Sequence, residues 1–184
     1  MNFTLSTSRL ELRALEPEDL DLLYTIENDE TLWDVCDDTA PYSRYALRQY
    51  IANQPQDLYQ CRELRLIVVE KETNEAVGVV DLVNYSPKNQ RAEISIALLR
   101  EKRTFGFGGE AIFLLENYVQ RFYGLRMLYA MVSSCHNRLA YNMFTRLGYA
   151  HVATLPMWHK RGDSYEDIDV LQKNFKKNAE KFGM

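Results

Sequence analysis

The run Arg103-Thr104-Phe105-Gly106-Phe107-Gly108-Gly109 constrains this chain more than any other segment. Alternating apolar residues, Ala92 to Leu99, precede it. Helically spaced ones follow: Ala111, Leu114, Leu115, Tyr118 and Phe122, with Gly124 as a stop signal. A glycine-rich turn between a strand and a helix lets backbone N–H groups approach a phosphate closely, and the helix dipole adds attraction. Gly106 to Ala111 formally fits G-x-G-x-x-A, the dinucleotide fingerprint. That fingerprint belongs after the first strand of a fold and needs an acid about 20 residues later. Here about 100 residues precede the motif, and Arg126 to Asn137 contains no Asp or Glu. A nicotinamide-binding Rossmann fold is excluded, and no G-x-x-x-x-G-K-[ST] loop is present.

The surrounding pattern predicts a mixed sheet. Leu10, Leu12 and Ala14 alternate as a first strand. Pro17 opens a helix with Leu20, Leu23 and Tyr24 as its buried stripe, and Ser43 caps a second helix carrying Leu47, Tyr50 and Ile51. Leu64–Val69, Val77–Val83 and Ala92–Leu99 read as a three-strand meander with short turns. Met127–Ser133 is a further strand. Asn137 caps a helix with Ala140, Tyr141, Phe144 and Leu147 inward, and strands near 149–158 and 164–171 close the order. The expected fold class is α/β (α+β): a largely antiparallel sheet with helices on both faces. At 184 residues this is one domain, residues 1–171, and the basic tail 172–184 is expected to be a peripheral helix or frayed.

Arg103-x-x-Gly106-x-Gly108 and, about 30 residues on, Asn137-x-x-Ala140-x-x-x-Phe144-x-x-x-Gly148-Tyr149 together resemble the two motifs of the GNAT N-acetyltransferases. The opening Leu12-Arg13-Ala14-Leu15-Glu16-Pro17 looks most like the spermidine and ribosomal-protein N-terminal acetyltransferases of that family. The resemblance implies an acyltransferase that uses acetyl-coenzyme A, with direct attack of an amine on the thioester in a ternary complex. It implies that the strand ending at Leu98 and Leu99 parts from the next and pairs with the pantetheine arm. It also implies that residues 104–109 take the pyrophosphate with Arg103 beside them, and that Asn137 and Phe144 meet the cofactor. A backbone N–H at Leu98 or Leu99 would steady the thioester oxygen.

An alkylammonium lies about 3.4 pKa units from neutral pH, roughly 4.6 kcal/mol, so the amine needs a proton acceptor. Glu93 is the first candidate and Asp81, set among Val79, Val80, Leu82 and Val83, the second. The family's general acid is a Tyr where this chain has Phe144, which donates no proton. Tyr141, one turn earlier, is the substitute candidate, with His136 behind it, and Cys135 has no partner placed for a covalent step.

Charge is uneven. Residues 14–40 hold ten acids and no Lys or Arg, within a chain of net charge −4. Such a segment disfavours nucleic acid and suits a cation. Trp33, Asp34, Asp37 and Asp38 are the candidate contacts for an amine acceptor, polyamine-like or peptide. Two alternatives stay open: a protein N-terminal acetyltransferase, and a non-catalytic coenzyme A-binding module. Three cysteines without C-x-x-C spacing and three histidines without H-x-x-x-H fit a reducing cytoplasm and no metal site. No apolar run is long enough to span a membrane, and the N-terminus lacks a secretory pattern. The oligomeric state is left open, a homodimer included.

Overall fold

The computed structural model describes residues 5–33, 40–54, 57–133 and 135–175. Strand β1 (Leu10–Arg13) leads through a 3-10 turn, Pro17–Asp19, into α1 (Leu20–Glu27), then α2 (Glu30–Trp33), α3 (Arg44–Asn53) and α4 (Leu58–Cys61). The meander follows as β2 (Leu64–Glu70), β3 (Glu75–Ser86) and β4 (Arg91–Leu98). Helix α5 (Phe107–Tyr123), β5 (Met127–Val132), α6 (Arg138–Arg146), β6 (Ala150–Arg161) and β7 (Ser164–Asn174) complete the order.

The seven strands form one sheet in the order β1-β2-β3-β4-β5-β7-β6. Every neighbouring pair is antiparallel except β4–β5, which is parallel and uses α5 as its crossover. Helices cover both faces. On one, α5 and α6 bury Ala111, Ile112, Leu115 and Phe144 against Val80, Leu82, Ile94 and Leu128. On the other, Leu22, Leu23 and Ile26 of α1 and Leu47 of α3 pack on Ile67, Val69 and Val79. Alternation along the strands sends successive side chains to these two cores.

The caps read from the sequence are present. The Ser43 hydroxyl accepts the Ala46 N–H at 3.1 Å, and the Asn137 side chain accepts that of Ala140 at 3.2 Å. The stripe of α1 is shifted: Leu22, Leu23 and Ile26 are inside, whereas Tyr24 faces outward beneath the Arg44 guanidinium. The tail begins later than expected. Residues 172–174 continue β7, with Asn174 opposite Met127, because β5 offers them a full partner edge.

Candidate active site

The site begins where β4 and β5 part. Only Arg91, Ala92 and Glu93 pair with β5, opposite Met127, Leu128 and Tyr129. Beyond that rung β5 stays with β7 through Val132, and β4 stays with β3 through Leu98. The Leu99 N–H donates to the Val77 carbonyl at 2.9 Å, so Leu99 is spent on the sheet. Alternation then turns the amides of Leu98 and Ile96 the other way, into the gap. The Leu98 carbonyl accepts the Arg103 Nε–H at 3.0 Å. Of the two amides expected near the thioester, Leu98 is the one that faces the opening.

The glycine turn sits at the wide end of this gap. Gly106 precedes α5 with φ +82°, a conformation that suits glycine, and no side chain caps the helix start. The first N–H groups of α5 therefore stay available to an anion. The turn is pinned from behind. Arg9 donates to Glu110 and to the Phe105 carbonyl, and its guanidinium lies 5.2 Å from the centre of the Phe107 ring. Phe105 is exposed and stacks on buried Phe107, while Thr104 is exposed. Gly108 also has a packing duty. A Cβ there would stand 3.0 Å from Met143 Sδ and 3.8 Å from Ile96 and Leu98, so its bare backbone lets α5 pack on α6 and β4. At Gly109 the nearest atoms are 3.8 Å away or more.

The Arg103 guanidinium is engaged by the chain's own groups. Besides Leu98, it donates to Thr31 Oγ1 at 3.2 Å and to Asp29 Oδ2 at 2.5 Å. It ties the end of β4 to the corner between α1 and α2. An amide-bearing arm along β4 and a pyrophosphate at the α5 N-terminus together fit coenzyme A, since one free strand edge and one uncapped helix start lie side by side.

The gap opens into a cleft of about 170 Å³. Apolar walls come from Ile26, Leu32, Ile94, Ala97, Val132 and Phe144. Among the described lining residues the charges are Glu27, Arg65 and Asp81. Arg65 grips Asp81 with two bonds, Nε to Oδ1 at 2.8 Å and a second nitrogen to Oδ2 at 2.9 Å, and reaches Glu27 Oε1 at 2.5 Å. Burial opposes the guanidinium charge. The charge and hydrogen bonds of Asp81, then Glu27, outweigh burial and hold the Arg65 pKa above its ordinary value.

Asp81 therefore lines the cleft, but both its oxygens face the Arg65 fork. Glu93 is not among the lining residues. It stands on the last paired rung opposite Tyr129 and accepts the Asn84 amide at 3.0 Å. Burial, then the Glu93 charge, pushes the Tyr129 hydroxyl up. Glu27 was missed as a site residue, because the acidic run absorbed it. The available signal was its place one turn after buried Leu23 and directly after buried Ile26.

Asn137 and Phe144 of the second motif both line the cleft. Phe144 meets Tyr149 edge-on at 5.0 Å between ring centres. Tyr141 is half-buried under the Arg138 guanidinium and does not line the cleft. His136 Nδ1 contacts buried Glu166, which also accepts the Ser133 hydroxyl at 2.9 Å. Glu166 carried no sequence signal. Cys135 is exposed. The Trp33 side chain, Asp34, Asp37 and Asp38 lie outside the described residues. Among the described residues no His, Cys, Asp or Glu cluster could hold a metal, and no helix is long and apolar enough to cross a membrane.

Residues 9–150 match the family model described as the acetyltransferase (GNAT) domain. An uncharacterised N-acetyltransferase of Bacillus licheniformis, p20, is 31% identical over 116 residues, covering 62% of this chain and 65% of the relative. The match thus spans just under two thirds of that relative's length. Among solved structures, a spermidine N-acetyltransferase from Vibrio cholerae in complex with coenzyme A and spermine superposes with a TM-score of 0.79. Its identity is 22%, with 91% of this chain and 96% of the other covered. A probable acetyltransferase gives 0.80 at 18% identity, covering 91% and 94%. At these identities the likeness shows the fold.

Proposed function

The chain belongs to the GNAT acetyltransferase family, a family of acetyl-coenzyme A-dependent acyltransferases, and we propose that it acetylates a cationic amine. The observation that carries this reading is the parting of β4 and β5 after Glu93 and Tyr129, directly over a cleft lined, among the described residues, by two carboxylates and one guanidinium.

Acetyl-coenzyme A supplies the activated acetyl group. The β4 edge at Ile96 and Leu98 offers backbone groups to an amide-bearing arm, and the α5 N-terminus offers N–H groups and dipole to phosphate. The Leu98 N–H is the one amide of the candidate pair free of the sheet ladder to steady a developing oxyanion. Attack forms the C–N bond and breaks the C–S bond, and the nitrogen sheds its protons through the carboxylate side of the cleft. Phe144 supplies no proton where the family has Tyr. A thiol with a pKa near 8.5 leaves tolerably without full protonation.

The acceptor class rests on charge. The acidic segment 14–40 favours a polyamine-like cation or a basic peptide end, and the Vibrio cholerae relative was solved with spermine. Residence in a reducing cytoplasm belongs to the same proposal and rests on the unpatterned cysteines. The test is thiol release from acetyl-coenzyme A against a panel of polyamines, alkylamines and peptides with free N-termini. Release with polyamines supports the reading. Modification of peptides alone moves the acceptor to protein N-termini. Coenzyme A binding without amine-dependent release refutes catalysis.

A further inference from the structure

We infer that Arg9, a residue of neither family motif, is a positioning residue for the cofactor: it fixes the turn that meets the pyrophosphate and holds the Glu110 carboxylate off it. The inference rests on the reading of the α5 start as the phosphate site and adds a residue to that site.

Glu110 sets up a conflict of charge. It lies in the first turn of α5, whose start has no side-chain cap. A helix N-terminus attracts any anion, so Glu110 and a phosphate compete for the same positive end and repel each other. In the structure both Glu110 oxygens are taken up from the β1 side. The Thr7 hydroxyl donates to Oε1, and Arg9 Nε donates to Oε2 at 2.9 Å, with a second guanidinium nitrogen on the same oxygen. The Glu110 side chain is 17% exposed, so solvent ions screen its charge little. Arg9 supplies the opposite charge that lets a phosphate approach.

The same guanidinium orders the backbone. Its Nη1 donates to the Phe105 carbonyl at 3.2 Å and so fixes the peptide between Phe105 and Gly106. That peptide is trans, so its C=O and N–H point in opposite directions and the Gly106 N–H faces away from Arg9. The guanidinium also packs on the turn: Nη2 lies 3.7 Å from where a Gly106 Cβ would stand, and the Phe107 ring centre is 5.2 Å away. Arg9 thereby meets three consecutive residues, Phe105, Gly106 and Phe107. Its own backbone is fixed to the sheet, since its carbonyl accepts the Lys71 N–H at 2.8 Å and its N–H donates to Thr7 Oγ1 at 3.1 Å. The turn is thus indexed to the sheet that carries the β4 edge, and an amide arm and its pyrophosphate meet their sites at a fixed spacing.

The experiment measures calorimetric affinity for coenzyme A and for pantetheine, which has the amide arm and the thiol but no phosphate. It compares wild type, Arg9→Gln, and Arg9→Gln combined with Glu110→Gln, with thermal melts as the control. Arg9 is half exposed, and an ion pair so exposed adds little to folding stability, so the variants should fold. Arg9→Gln should weaken coenzyme A binding at least about tenfold, as expected when a charge-assisted contact is lost, and change pantetheine binding by less than about twofold. Adding Glu110→Gln should recover part of the loss, because the repelling charge is gone. A folded Arg9→Gln protein with coenzyme A affinity within about threefold of wild type overturns the inference. So does an equal loss for both ligands, or a double variant that binds no better than Arg9→Gln. Wild type that binds pantetheine as tightly as coenzyme A refutes the phosphate reading of the turn itself, whereas a phosphate preference that persists undiminished in Arg9→Gln refutes the inference alone.

Discussion

Arg103 donates to the Asp29 carboxylate at 2.5 Å, joining residues 74 positions apart at the corner where α1 ends and β4 runs out. The same guanidinium holds the Leu98 carbonyl and the Thr31 hydroxyl. A cation that its motif marks for the cofactor thus braces the corner between α1 and α2 against the end of β4.

Arg103→Ala should therefore cost stability, about 1–3 kcal/mol, since several partly buried acceptors lose a donor at once. In a chain of this size each kcal/mol lowers Tm by roughly 2–4 °C. Calorimetric coenzyme A affinity should change by less than tenfold. A variant with unchanged Tm and a much larger affinity loss would return Arg103 to the phosphates.

Asp29 gives the same brace a pH signature. Burial works against its charge, but the Thr31 hydroxyl, Arg103 and the Thr31 amide outweigh it and hold its pKa below the usual carboxylate range. A depressed carboxylate contributes stability that is fully present above its unfolded pKa of about 3.9 and is lost as pH falls through the folded value. Denaturant melts of wild type and Asp29→Asn should differ at pH 6 and converge as pH drops below about 4. A constant difference down to pH 2 would show that Asp29 contributes no such linkage.

Gly108 and Gly109 should respond oppositely to an added side chain. At Gly108 a Cβ meets Met143 Sδ at 3.0 Å, so Gly108→Val should destabilise by about 1–3 kcal/mol through overpacking. At Gly109 the space is ordinary, and Gly109→Ala should be neutral or stabilising by up to about 1 kcal/mol. Thermal melts of the two variants decide it.

Phe144→Tyr should fold and should retain or raise thiol release. Phe144 lines the cleft, so an added hydroxyl has the opening to face. Loss of turnover with normal coenzyme A binding would mean that the apolar edge itself is required. Phe144→Ala, by contrast, should cost about 3–5 kcal/mol, because the ring fills the space beside Tyr149.

Glu166→Ala should loosen the turn into α6. Buried Glu166 is the shared acceptor for Ser133 and contacts His136, directly before the Asn137 cap. Removing it strands the Ser133 hydroxyl and should cost about 1–3 kcal/mol. Hydrogen exchange at Ala140, bonded to Asn137, should quicken in the variant. Unchanged exchange there would leave the dyad without influence on the cap.

Replacing Asp37 and Asp38 together by Asn should raise KM for a polyamine and leave that for acetyl-coenzyme A unchanged. The effect should shrink as salt rises, because the Debye length is about 10 Å at 0.1 M. An unchanged acceptor KM at low salt would reduce the acidic run to a solvated surface.

The order of strands and helices was legible because it is written locally. Leu10 and Leu12 alternate, Leu47, Tyr50 and Ile51 share one helical face, Ser43 and Asn137 cap, and Gly106 and Gly124 break. Each signal acts between residues a few positions apart. Tyr24 shows the limit of such reading: its helical spacing suited the core, yet Arg44 of another helix offered its ring a partner outside.

The sequence by itself determined that two motifs stand at either end of one helix and the strand that follows it, and that Phe144 faces inward. Only the tertiary structure decided what their neighbours do. Arg65 stands between Asp81, 16 positions on, and Glu27, 38 positions back. The pairing exists because β2 and β3 register Arg65 opposite Asp81 while α1 ends above both. Likewise Glu93 stays on a paired rung because β5 leaves β4 just beyond it. Register and the point of parting are set by the competition of β7 and β3 for their neighbours. That competition sums contacts over the whole sheet, and no stretch of neighbouring residues records it.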